Sequence, residues 1–153
     1  ISKQNQAIDA IENVANQFKS FKISINQAGI FVNDAFTGKD TIYLKINKNH
    51  KIYLLQKKIA ENLKFLTNKR KINNFKNLND NLKKSFLKYG YPFVGTHWKP
   101  HFTIGSIKDF KNKEDYKKFF EKKINFTNEV KGISLWRINQ NKHIKIKDFK
   151  FIK

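Results

Sequence analysis

The sequence predicts an α+β protein of one domain, and three observations predict it. The first half reads as helix, hairpin, helix. The second half reads as strand, helix, hairpin. Hydrophobic residues make up 39% of the chain, with 15 phenylalanines, enough apolar surface to bury a core rather than remain a disordered tail. A length of 153 residues fits one domain, or one bilobal unit with a shared core.

Residues 3–18 carry Ile8, Ile11, Val14, Ala15 and Phe18 at helical spacing on one face. An alternating stretch follows, Phe21, Ile23 and Ile25, running into Ala28-Gly29-Ile30-Phe31-Val32 as a strand. Residues 33–40, with Asn33, Asp34, Gly38 and Asp40, form the turn, and residues 41–46 return as the partner strand. Residues 52–66 read as a second helix with Leu55, Ile59, Leu63 and Leu66 on one side. The Asn- and Lys-rich stretch 68–81 reads as a loop followed by a short helix ending near Tyr89 and Gly90. Residues 100–107 read as a strand, and residues 114–123 as a helix with Tyr116, Phe119 and Phe120 on its apolar side. Residues 130–139 and 144–152 close the chain as a hairpin turning at Asn139-Gln140-Asn141, with Ile144, Ile146, Phe149 and Phe151 as the apolar residues of its last strand.

Overlaying the two halves leaves one gap: a strand that should precede the first helix. It would lie upstream of Ile1, and the absence of methionine agrees, since Ile1 is no encoded start. The expectation is therefore a first lobe over residues 1–66 with a vacant strand position beside its hairpin, a connecting segment over 67–90, and a second lobe over 91–153.

The formal charge of +20 attracts polyanions and speeds their encounter, which points to RNA or nucleotide phosphate as partner. The same lysine excess also arises from an AT-rich coding sequence, and Arg70 and Arg137 are the only arginines. The chain has no cysteine, which excludes disulfides and thiolate metal sites. No apolar run approaches the roughly 20 residues that span a bilayer, and no signal-peptide pattern opens the chain. The expected protein is soluble, cytoplasmic, monomeric and without a membrane partner. Its four scattered histidines lack the spacing of a ligand set, so neither metal nor cofactor is expected.

The segment Gly95-Thr96-His97-Trp98-Lys99-Pro100-His101-Phe102-Thr103-Ile104-Gly105 carries the chemistry. Strand side chains alternate, so His101 and Thr103 share one face, about 7 Å apart, and Phe102 and Ile104 are expected to face the core. Pro100 suits a strand's first position and Gly105 a bulge. An imidazole changes charge near neutral pH and moves protons, and a β-branched threonine holds its hydroxyl toward a phosphate oxygen. His101 and Thr103 are the catalytic candidates, expected on a central strand opening onto a concave groove. Tyr91, His97, Trp98 and Lys99 are the substrate-binding candidates: the aromatics to stack a base, His97 and Lys99 to meet phosphate. In a straight strand His97 would share the face of His101. His50 and His143 read as solvated surface residues.

Pro100-His101-Phe102-Thr103-Ile104 resembles the second His-x-Thr-x motif of the two-histidine (2H) phosphoesterases, which include the bacterial 2′-5′ RNA ligase-like cyclic phosphodiesterases. The resemblance in layout covers nearly the whole chain. It implies a bilobal α+β fold, with two antiparallel sheets flanking a central groove, helices outside, and one motif per lobe in a pseudo-twofold arrangement. The family's first motif has no match in this sequence, which reads either as a truncated chain, the favoured explanation, or as a one-motif pseudoenzyme. The implied function is a metal-independent phosphodiesterase acting on RNA ends or on cyclic or 2′-5′-linked nucleotides by two-histidine acid-base catalysis. The alternative is a non-catalytic RNA-binding module on the same scaffold.

Overall fold

A computed structural model describes residues 2–34, 37–67, 78–139 and 142–152. Its elements are α1 (Lys3–Ala15), β1 (Phe21–Phe31), β2 (Asp40–Ile46), α2 (His50–Leu63), α3 (Asp80–Tyr89), β3 (His101–Ile107), α4 (Asp115–Glu121), β4 (Phe126–Val130), β5 (Gly132–Asn139) and β6 (Lys142–Lys150). Most of the stretch 68–81, and Gln140-Asn141 of the final turn, lie outside the described residues. The helix expected to end near Tyr89 does so: Gly90 takes φ 74, the left-handed cap that glycine adopts at low cost.

The chain folds into two compact units built from interleaved segments: residues 1–21, 50–98 and 129–153 in one, residues 22–49 and 99–128 in the other. The first holds α1, α2, α3 and the β5–β6 hairpin. Helix α1 starts where Ser2 Oγ accepts the Asn5 amide at 3.2 Å, a side-chain N-cap. Its apolar face buries Ile11, Val14 and Ala15, joined in the core by Phe18, Phe21, Leu55, Phe86, Phe149 and Phe151. Phe151 meets the rings of Phe18 and Phe21 at 5.8 and 6.0 Å.

The second unit is dominated by a sheet. Its four strands run in the order β3-β2-β1-β4, and β5–β6 forms a separate two-stranded sheet. β2 runs antiparallel to both β1 and β3. Four expectations are corrected here. The hairpin β1–β2 has no vacant side, because β3 flanks β2 and β4 flanks β1. The segment before Gly132 is a strand of its own, β4. Glycine marks the break because a Cβ there would lie 2.3 Å from the Phe149 carbonyl oxygen. β3 is an edge strand, not a central one. Phe102 and Ile104 are 44% and 53% exposed rather than buried. A strand paired on one side has fewer neighbours to cover it. The pairing also shifts register between Ile42 and Tyr43, opposite Ile104, a bulge that takes this residue out of the regular alternation.

The tip of the β1–β2 hairpin is pinned by Asp40, which is 2% exposed. Its two carboxylate oxygens accept the backbone amides of Asn33 at 3.0 Å and Lys111 at 3.1 Å. The Asn33 amide, then the Lys111 amide, holds its pKa below the ordinary carboxylate value, against the opposing effect of burial. A depressed folded pKa gives stability that is present above the unfolded carboxylate's pKa. That stability is lost as pH falls through the folded value, below the ordinary carboxylate range. Asp40→Asn turns one acceptor into a donor facing an amide. It is expected to lower the thermal midpoint at neutral pH and to flatten the acid limb of a midpoint-against-pH series. Parallel acid limbs in the two proteins would contradict this.

Candidate active site

The sheet of the second unit sets out one face around His101. Across β2 and β3, Lys45 stands opposite His101 and Tyr43 opposite Thr103; across β1 and β2, Gly29 stands opposite Tyr43 and Gln27 opposite Lys45. Cross-strand partners share a face, so Gln27, Lys45, Tyr43, His101 and Thr103 lie together. Thr103 is exposed and His101 half-buried.

The imidazole is held on three sides. Its Nδ1 lies 2.6 Å from the Lys99 carbonyl oxygen. A carbonyl can only accept, so Nδ1 carries the hydrogen and Nε2 keeps the lone pair of the neutral ring. The rings of Phe31 and Tyr43 each meet the imidazole at 5.2 Å, interplanar angles 77° and 60°. A neutral imidazole with Nδ1 tied to an acceptor presents Nε2 as a proton acceptor, the tautomer a general base needs. Two ammonium groups belong to the same unit: Lys99 Nζ stands 5.9 Å from the Phe31 ring centroid, and Lys45 Nζ 3.5 Å from Gln27 Oε1.

The family model of the 2′-5′ RNA ligase superfamily matches residues 2–142. The chain belongs to the 2′-5′ RNA ligase superfamily. This superfamily is the 2H phosphoesterases, and the matched span takes in every element from α1 to β5 and the first residue of β6. No curated protein and no solved structure matches the chain.

Among the sequence candidates in this 2′-5′ RNA ligase superfamily member, His101, Thr103 and Lys99 fall in one unit, and Tyr91, His97 and Trp98 in the other. Tyr91 and Trp98 line an open apolar cavity of about 390 Å³ beside Ile52, Leu55 and Leu63 of α2. Trp98 meets Tyr53 edge-on at 5.8 Å. His97 is exposed on a 3₁₀ turn, Gly95–His97. The straight strand on which sharing the face of His101 depended is thus absent at His97. His50 and His143 are exposed, as expected. Among the described residues, no group of three or more His, Cys, Asp or Glu is placed to hold a metal ion, and no helix is long and apolar enough to cross a membrane.

Sequence reasoning missed Phe31, Tyr43, Lys45 and Gln27. One signal was present: Gly29 inside a strand pattern, which marks a close approach by something else. A Cβ at Gly29 would lie 2.3 Å from Tyr43 Cζ.

Proposed function

We propose that this protein is a metal-independent phosphodiesterase acting on RNA ends or on cyclic or 2′-5′-linked nucleotides, with His101 as a proton-transfer group and Thr103 as a phosphate ligand. The observation that carries the reading is the tie from His101 Nδ1 to the Lys99 carbonyl oxygen, which leaves Nε2 to take or give a proton. Family membership and the charge of +20 support it.

Phosphodiester cleavage needs one group to deprotonate the attacking water or hydroxyl and another to protonate the leaving ribose oxygen. His101 takes one of these roles. No other histidine of this sequence is followed two residues later by threonine or serine, and the family's other motif is the source of the second group. Thr103 donates to a non-bridging oxygen, and Lys99 and Lys45 offset its charge. In this reading Tyr91, His97 and Trp98 are the substrate-binding residues of the other unit.

The test is turnover of a 2′,3′-cyclic or 2′-5′-linked nucleotide by the full-length gene product. The rate is expected to be bell-shaped in pH, because one acid and one base must act together, and unchanged by EDTA. Loss of activity on chelation, restored by a divalent metal, would place the protein in another enzyme class.

A non-catalytic RNA-binding module is the second reading, favoured by the lysine excess. Under either reading, affinity for single-stranded RNA falls steeply with salt, with a log–log slope of about −0.7 per phosphate contacted. A flat slope would make the lysines compositional only. RNA binding without turnover over a panel of such nucleotides would favour the module.

A further inference from the structure

We propose that Tyr43, seated across Gly29, is a positioning residue for His101: with Phe31 it fixes the imidazole so that Nε2 is the nitrogen left for proton transfer. This rests on the phosphodiesterase reading and adds what aims its histidine.

The argument begins at Gly29. A Cβ built there would lie 2.3 Å from Tyr43 Cζ, 2.5 Å from Oη and 2.6 Å from Cε2. The phenol ring therefore occupies the space that any other side chain at Gly29 would fill, a glycine's usual role where another group comes close in a strand. Tyr43 is directly opposite Thr103, not His101, and so reaches His101 as a diagonal neighbour, within range for an aromatic ring. It is 8% exposed. Its ring stacks on Phe31 at 4.3 Å and 24°, and both rings meet the imidazole at 5.2 Å. Burial raises the phenol's pKa, which keeps the ring neutral beside a histidine that must change charge.

An imidazole held by one hydrogen bond still turns, because its χ2 torsion is broad. Two aromatic walls restrict that turn. The Nδ1–H to Lys99 carbonyl bond then persists, and the tautomer with it. Thr103 and the lysines bind phosphate whether or not the imidazole is aimed. Loosening the walls thus costs kcat and spares KM.

The experiment uses the full-length gene product, with ring-nitrogen NMR signals assigned by their loss in His101→Gln. Wild type is expected to show two separate signals for His101, one protonated and one bare nitrogen. Gly29→Ala, whose added Cβ would press on the Tyr43 ring, and Tyr43→Leu are expected to move these signals toward a tautomer average. They should lower kcat about 10–100-fold, the usual effect of a misplaced catalytic group, with KM nearly unchanged. Tyr43→Phe is expected to restore both readouts. A kcat loss in Tyr43→Phe equal to that in Tyr43→Leu overturns the proposal, as does a folded Gly29→Ala with unaltered ring signals. Should Tyr43→Leu fail to fold, Phe31→Leu, at a half-buried site, replaces it, and unaltered ring signals there count equally against the proposal. A wild type without turnover removes the phosphodiesterase reading. Separate ring signals that collapse in Gly29→Ala would still uphold the held imidazole.

Discussion

If the proposed phosphodiesterase activity holds, His101→Ala is expected to lower turnover of a 2′,3′-cyclic or 2′-5′-linked nucleotide by roughly 10²–10⁴, the span for loss of one general acid or base. The size follows from what the ring does. With Nδ1 facing the Lys99 carbonyl oxygen, Nε2 is the nitrogen proposed for proton transfer. The flanking rings of Phe31 and Tyr43 orient the imidazole but carry no proton-transfer group of comparable acidity. Thr103→Ala costs less, about 10–100-fold, since one hydrogen bond to a charged group contributes about 1.5–3 kcal/mol and the lysines remain. Single-turnover rates of wild type, His101→Ala and Thr103→Ala separate the two roles. Full activity in His101→Ala would end the two-histidine mechanism.

Phe86→Ala is the largest stability effect expected in the helical unit. Phe86 is 1% exposed on α3, among the largest fully buried side chains. Truncating such a ring removes its transfer free energy and leaves a cavity, about 3–5 kcal/mol together. At about 2–4 °C per kcal/mol for a chain of this size, the thermal midpoint falls by about 6–20 °C. Phe65, 62% exposed beside the end of α2, is the control. Phe65→Ala is expected to stay within about 0.5 kcal/mol of wild type. Urea denaturation of the three proteins measures both differences. Equal midpoints for Phe86→Ala and Phe65→Ala would show that α3 is not part of the cooperative core.

What the sequence made legible was local. The helical spacing of Ile11, Val14 and Ala15, the alternation of Phe21, Ile23 and Ile25, and the glycine stop at Gly90 each have a physical signature within one turn or strand, and each element formed where expected. The placement of His101 and Thr103 on one face of a strand was read by the same local logic. What escaped was pairing between distant segments. Nothing in His101–Ile107 says which strand it will join, and it joined β2 at the sheet edge. That choice exposed Phe102 and Ile104, which alternation alone had placed inside. It also brought Tyr43 to His101, a contact for which Gly29 left a sign that could be read only with the partner strand in hand. Charge raised the expectation of a polyanionic ligand but offered no seat for one: Lys45 is one lysine among many until register sets it opposite His101.

The interleaving of the two units also governs the order in which the molecule can be assembled. β1 and β2 are joined by a short turn and can pair as soon as both are made. The strand that flanks β2 is not synthesised until residues 50–98 have emerged. Through that interval the β2 edge presents unpaired amides and carbonyls, the kind of surface that recruits other chains. Closing it requires a long loop to be drawn in, which slows folding more than it weakens the final state. The face that His101 joins is therefore finished late, and Lys45 places positive charge on the waiting edge strand, a feature that discourages edge-to-edge association while the chain is incomplete.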